Sequence, residues 1–226
     1  MGVMFKRLTA LLAVSAALAL APAATAAAQT GRAVLSAPID LAGPARSQVL
    51  KDASRALDTV RALQGRFQQV SPDGAALTGA FYMHRPGRLR FEYDAPSPLT
   101  IVADGASLAI SDRAMRTTDT LPLRATPLWL VLKSTINLEK DARIIRVARQ
   151  DNELLITARD KSGQADGEIT LNLDASTKAL KRWRIVDGQG QVTQLTLIDV
   201  RPSARLDPML FAIQKAKKAD GGAKPR

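Results

Sequence analysis

The sequence predicts a mainly β domain with one long helix in front of it, built as an antiparallel sheet of nine or ten short strands. Three observations point there. Apolar residues alternate with a period of two over most of the chain. Clusters of Gly, Pro, Asp and Asn separate the alternating runs. No regular helical pattern falls between successive strands, which argues for a continuous meander and against βαβ units. So many strands curl strongly or close into a partial barrel.

The helix comes first. Val49, Leu50, Ala53, Leu57, Val60 and Leu63 recur at three- and four-residue spacing, with Lys51, Asp52, Arg55, Asp58 and Arg61 on the opposite face. That is one amphipathic helix of about four turns. Strands follow over 67–70, 77–84, 88–94, 99–103 and 107–112, punctuated by Ser71-Pro72-Asp73-Gly74, Arg85-Pro86-Gly87, Pro96, Pro98 and Asp104-Gly105. A second set covers 144–149, 153–159, 169–174, 180–187 and 191–200. The last of these is apolar on both faces, which leaves open its register or a bulge within it. Between the sets, Thr126-Pro127 precedes Leu128, Trp129, Leu130, Val131 and Leu132. This reads as a Thr cap, a Pro at the first helical position and a helix apolar on every side. Such a helix is buried all round or meets something else apolar.

The ends are of another kind. Lys6 and Arg7 precede an apolar run over 8–21, and small residues then offer A-x-A sites ending at Ala26 or Ala28. This is the layout of a cleaved secretory signal peptide over 1–28. The run is short for the ~20 residues of a membrane span, the alternative reading. Residues 29–44 are rich in Ala, Gly and Pro and read as a flexible linker. The folded domain is expected over 45–213. Residues 214–226 carry five bases and one acid with no periodicity, and read as a disordered basic tail.

The formal charge of +11 becomes +9 once Lys6 and Arg7 are removed. Export and the lack of a basic-aromatic stacking motif argue against nucleic acid as a partner. Anionic membrane surfaces or acidic partners suit the charge better. With no cysteine and one histidine, His84, thiolate chemistry and multi-histidine metal sites are excluded. His84 has no predictable carboxylate or serine partner and reads as a surface residue. Glu92 and Asp94 lie two apart on a strand, a spacing compatible with paired acid catalysts. They share their face with Arg88 and Arg90, so a solvated, charge-compensated face is the better account. No cofactor and no enzymatic activity are expected.

Strand parity singles out one surface. Leu77, Gly79, Phe81 and Met83 share a face, as do Leu89, Phe91 and Tyr93, while Thr78, Tyr82, His84, Arg88, Arg90, Glu92 and Asp94 take the other. Parity also places Arg85 at the end of the apolar face. A buried unpaired guanidinium is prohibitively costly. Arg85 therefore either snorkels at the sheet rim beside a turn, or reaches across an apolar cavity to a covering helix.

Leu63-Gln64-Gly65-Arg66-Phe67-Gln68-Gln69 and the run from Gly79-Ala80-Phe81 through Arg85-Pro86-Gly87 to Phe91-Glu92-Tyr93 resemble the outer-membrane lipoprotein carrier family, LolA. So do Ile101-Val102-Ala103-Asp104-Gly105, Thr126-Pro127-Leu128 and Leu206-Asp207-Pro208-Met209-Leu210-Phe211. The resemblance spans about 46–213. It implies a curved antiparallel sheet forming an incomplete, half-open β-barrel, with lid helices over an apolar cavity. It implies a periplasmic, monomeric chaperone for acylated lipoproteins. The partners implied are an inner-membrane lipoprotein-releasing ABC transporter and an outer-membrane lipoprotein receptor or the outer-membrane surface. Under the same resemblance Arg85 is the lid latch. The lipid-binding positions are Phe67, Phe81, Met83, Leu89, Phe91, Tyr93, Leu99 and Ile101 on the sheet, with Leu128, Trp129 and Leu132 on the lid. The family usually has more aromatics on its concave face. Ala109 and its small neighbours make the 107–112 strand poorer. Two other classes stay open: a periplasmic lipid- or lipoprotein-sensing module of a signalling complex, and an enzyme acting on envelope lipid.

Overall fold

The computed structural model describes residues 36–214. The expected signal peptide, the first part of the expected linker and nearly all of the expected basic tail lie outside the described residues. Twelve strands form one antiparallel sheet. In chain order they are β1 (Ile39–Asp40), β2 (Ala62–Val70), β3 (Ala76–His84), β4 (Arg88–Tyr93), β5 (Leu99–Asp104) and β6 (Ser107–Asp112). The others are β7 (Thr117–Pro122), β8 (Ala142–Gln150), β9 (Glu153–Asp160), β10 (Glu168–Asp174), β11 (Leu180–Val186) and β12 (Val192–Pro202). Three helices accompany them: α1 (Gly43–Thr59), α2 (Trp129–Leu132) and α3 (Leu138–Asp141).

The order across the sheet is β1-β8-β9-β10-β11-β12-β2-β3-β4-β5-β6-β7. Two meanders, β2 to β7 and β8 to β12, are joined where β12 pairs with β2. The ladder ends at β1 and β7 without closing into a barrel, so the sheet is a curved, half-open one. All ten expected strands are present. Two further strands were not expected. β7 reads Thr-Thr-Asp-Thr-Leu-Pro, and as an edge strand it needs no apolar stripe. β1 falls inside the expected linker, where Ile39 pairs with Arg149 and Asp40 with Ala148.

The double-sided apolar pattern of β12 is explained by a bulge. The register against β2 shifts between Ile198 and Arg201, and Asp199 takes φ +50°. The bulge crosses β2 at Gly65, where a Cβ would stand 2.9 Å from the Ile198 carbonyl oxygen and from the Val200 Cα. Only glycine lets the two backbones approach so closely.

α1 buries Leu50, Ala53, Ser54 and Leu57. It stops a turn earlier than the apolar spacing suggests, because Val60 is extended and Leu63 belongs to β2. The expected Thr cap on the second helix is not one. The Thr126 hydroxyl donates to the Leu123 carbonyl at 2.8 Å, and Leu128 occupies the cap position of a single-turn α2. The stretch before it is drawn tight by i to i+3 bonds, Trp129 N–H to Thr126 and Leu130 N–H to Pro127. Its expected burial is seen: Leu128, Leu130, Val131 and Leu132 are all buried.

One contiguous apolar cluster fills the concave side of the sheet. It joins Leu50 and Leu57 of α1, Leu128 to Leu132, Ile136 and Leu138 to the inward residues of β2 to β6 and β8 to β12. No described helix is long and apolar enough to cross a membrane.

Candidate functional site

The concave face is built from registered rows. Phe67 pairs with Gly79 and Gly79 with Tyr93; Phe81 pairs with Phe91 and Phe91 with Ile101; Met83 pairs with Leu89 and Leu89 with Ala103. Residues directly opposite in a ladder share a face, so each row is a line of inward side chains. Phe67 and Phe81 are fully buried, and Met83, Leu89, Phe91, Tyr93 and Leu99 nearly so, while Ile101 is half-buried.

The aromatic rings pack against one another, Phe67 edge to face on both of its neighbours. Phe67 lies 4.9 Å from Phe91 and 5.0 Å from Tyr93 between centroids, and Phe81 lies 5.5 Å from Phe91. Trp183 on β11 completes the group, 6.1 Å from Phe91 and 6.4 Å from Phe81. Sequence reasoning omitted Trp183, although its place between Arg182 and Arg184 is an alternation signal for an inward residue. Gly79 is required beneath Phe67, because a Cβ there would sit 2.6 Å from the ring and 2.2 Å from the Glu92 carbonyl oxygen.

One polar pair is set into this surface. Tyr93 Oη donates to Gln69 Oε1 at 2.6 Å, and both residues are buried. Burial raises the Tyr93 phenol well above its ordinary value, so it remains a neutral donor.

Arg85 lies at the end of this surface. The residue is 3% exposed, and its guanidinium makes hydrogen bonds to two segments of the lid. Nη1 donates to the carbonyls of Leu57 at 2.7 Å, Val60 at 2.9 Å and Asp58 at 3.3 Å, at the C-terminal end of α1. Nε donates to the Lys133 carbonyl at 2.7 Å, and Nη2 to the Ser134 carbonyl at 3.2 Å, just past α2. Nη2 also donates to the Asp58 carboxylate at 3.0 Å. Of the two readings open for Arg85, snorkelling to solvent at the rim is therefore excluded: the charge is buried and fully partnered.

The local reason is visible at the end of α1. A helix ends with unpaired carbonyls and the negative pole of its dipole. The last turn of α1 carries no basic residue. Arg85 supplies the missing cation from the turn between β3 and β4. This also explains the early end of the helix, since the carbonyls that a further turn would use are taken. Desolvation pulls the Arg85 guanidinium below its ordinary value, with Asp58 acting the other way. The Asp58 carboxyl is held below its ordinary value, first by the Ile136 N–H and then by Arg85.

Two more bonds tie lid to sheet and helix to helix. Gly87 N–H donates to the Leu132 carbonyl at 2.8 Å. Leu138 N–H donates to the Ser54 hydroxyl at 3.0 Å. Of the lid residues expected to meet lipid, Leu128 and Leu132 point into the apolar cluster. Trp129 is half-buried at its edge, with the Arg124 guanidinium 4.6 Å above its ring.

The opposite, convex face behaves as expected for Glu92 and Asp94. Glu92 pairs with Arg90, and Asp94 accepts from Arg66 and Thr78. His84 departs from its expected surface position. It is half-buried, its Nδ1 is enclosed without a partner among the described residues, and its ring centroid lies 6.3 Å from that of Phe211. The cause is the closing segment: a 3₁₀ turn at Pro208–Phe211 folds onto this face, where Arg90 donates to the Leu210 carbonyl.

The class these features define is a lidded half-barrel with an apolar concave face and one buried arginine joining sheet to lid. The family described as "Outer membrane lipoprotein carrier protein LolA" matches residues 58–214, and the chain belongs to it. An outer-membrane lipoprotein carrier protein of Halorhodospira halophila is 30% identical, over 76% of this chain and 83% of its own. One from Alkalilimnicola ehrlichii is 28% identical, over 75% and 81%. Among solved structures, a LolA superfamily protein from Nitrosomonas europaea is similar at 11% identity and a TM-score of 0.43, covering 73% of this chain and 97% of its own.

Proposed function

We propose that the protein is a periplasmic chaperone that binds the acyl chains of lipoproteins between the sheet and its lid. It carries them from the inner membrane to the outer membrane, without catalysis and as a monomer. It receives them from a lipoprotein-releasing ABC transporter and delivers them to an outer-membrane receptor or to that membrane's surface. The observation that carries this reading is the contact between Arg85 and the lid, laid over a continuous apolar surface.

An acyl chain of about sixteen carbons gains roughly 12 kcal/mol on leaving water, at ~0.8 kcal/mol per CH₂. A carrier must offer comparable apolar area, yet an exposed surface of that size aggregates. The lid meets both needs. When empty, Leu128, Leu132 and their neighbours occupy the concave face; when loaded, acyl chains take their place.

Arg85 adjusts the balance. Its bonds to Leu57, Val60, Lys133 and Ser134 exist only with the lid closed, so they stabilise the empty state against the loaded one. By linkage they lower cargo affinity by the free energy they contribute. Cargo is then held firmly enough to cross water and loosely enough to leave. Membership of the lipoprotein carrier family and the named relatives support the same assignment.

The test is native mass spectrometry of the mature protein purified from its own periplasm. Co-purifying polypeptides with an N-terminal acylated cysteine are expected. Free lipid without acylated protein would replace this reading with that of a lipid-binding module.

A further inference from the structure

A basin of about 830 Å³ lies beside the lid, between the turn at Pro86, the β5–β6 turn, the α2 segment, α3 and the β9–β10 loop. Its walls carry Arg88, Arg124, Lys133, Lys140 and Lys161 against Asp104, Asp141 and Asp160. The carboxylates are already engaged. Asp104 accepts the N–H groups of Ala106 and Ser107, and Asp160 accepts from the Ser162 hydroxyl and the Gln164 N–H. Asp141 pairs with Lys133 at 2.5 Å. Among the described residues the other four cations have no carboxylate within ion-pair distance. Five cations against three carboxylates leave the basin net positive, and four of those cations make no direct ion pair among the described residues.

Two features decide what it fits. Arg124, Lys140 and Lys161 are exposed long side chains on three separate segments, which suits many phosphates spread over a surface better than one enclosed ion. The half-exposed indole of Trp129 lies among them, under Arg124. An amphipathic ring beside unpaired cations matches the boundary between lipid headgroups and acyl chains.

We propose that this basin is a docking surface for the phosphate headgroups of an anionic phospholipid membrane. The α2 segment that lines it also supplies the Lys133 carbonyl to Arg85, so docking would turn the lid and its latch towards the bilayer. The proposal does not depend on lipoprotein carriage, because it requires no acyl chain inside the protein.

The experiment is flotation of the cargo-free mature protein with vesicles of phosphatidylglycerol and phosphatidylcholine in equal parts. It compares Arg124→Glu/Lys161→Glu with Arg113→Glu/Arg116→Glu, whose sites are exposed at the far end of β6, roughly 20 Å away along the strand. Both doubles change the net charge equally. At ~1 kcal/mol per basic residue near the surface, the basin double should bind at least about thirtyfold more weakly, and the control within about threefold of wild type. Equal losses would mean that overall charge alone acts, and would overturn the proposal. So would no wild-type binding, or inorganic phosphate at millimolar concentration releasing the wild-type protein at constant ionic strength, which would point to a soluble phosphate ligand. Loss of acylated cargo in the native mass spectrum would leave the flotation result standing, so the two readings fail separately.

Discussion

The Arg85 guanidinium and the Asp58 carboxylate meet at 3.0 Å, and the same carboxylate oxygen accepts the Ile136 N–H at 2.9 Å. One acidic side chain at the end of α1 thus holds both the sheet's arginine and the segment that follows α2. Three chain segments meet at this joint.

Arg85→Leu should open that joint without unfolding the sheet, because the acceptors it leaves unpaired sit on the lid segments and regain water when those segments move away. Amide exchange at Gly87 and Ile136 is expected to quicken at least about tenfold, a difference of ~1.4 kcal/mol. Amides of the β3–β4 ladder should change far less. The variant should also retain acylated cargo longer; transfer to acceptor membranes at the wild-type rate counts against the latch.

Acid should loosen the same joint. The folded-state value of Asp58 lies below its ordinary 3.8. Its stabilisation is therefore complete above about pH 4 and lost as pH falls through the folded value. The protection factor of the Ile136 amide, its exchange rate relative to the intrinsic rate at each pH, should fall on acidification below pH 4, and Asp58→Asn should abolish that dependence. An unchanged acid profile in the variant would assign the effect to another carboxylate.

Gly79→Ala tests the packing of the aromatic face. The new Cβ would meet backbone at 2.2 Å and the Phe67 ring at 2.6 Å. Neither the ladder nor a fully buried ring can yield cheaply, so a loss of at least about 3 kcal/mol is expected in urea unfolding. A loss below 1 kcal/mol would show that the sheet relaxes there.

Tyr93→Phe leaves Gln69 Oε1 buried without its donor, at a cost of about 1–3 kcal/mol. Adding Gln69→Leu removes both partners and should recover much of that loss, as a double-mutant cycle would show. The phenol has a further signature. Its folded-state value is raised above the ordinary 10.0, so its contribution is complete below pH 10 and lost as pH rises beyond it. Tyr93→Phe should lessen the alkaline loss of stability.

Period-two alternation, read without any contact, assigned the concave residues Phe81, Met83, Leu89, Phe91 and Tyr93 to one face, and Phe67 came from the resemblance alone. Alternation works because side-chain parity is a local property of an extended chain. It fails where locality fails. β7 has no stripe to read, since its place at the sheet edge removes the need for one. Alternation marks Trp183 as inward, but which inward residues it meets is set by the pairings of β11 with β10 and β12, which its own strand does not announce.

The chain itself thus determined the fold class, the apolar face and the anomalous position of Arg85 upon it. Only the tertiary structure decided what that arginine does. Its acceptors lie 25 to 49 residues away in the chain, on a helix end and a loop that meet nowhere but above the sheet. A buried charge is tolerated where its partners converge, and convergence across such separations is settled by packing, which no local pattern encodes.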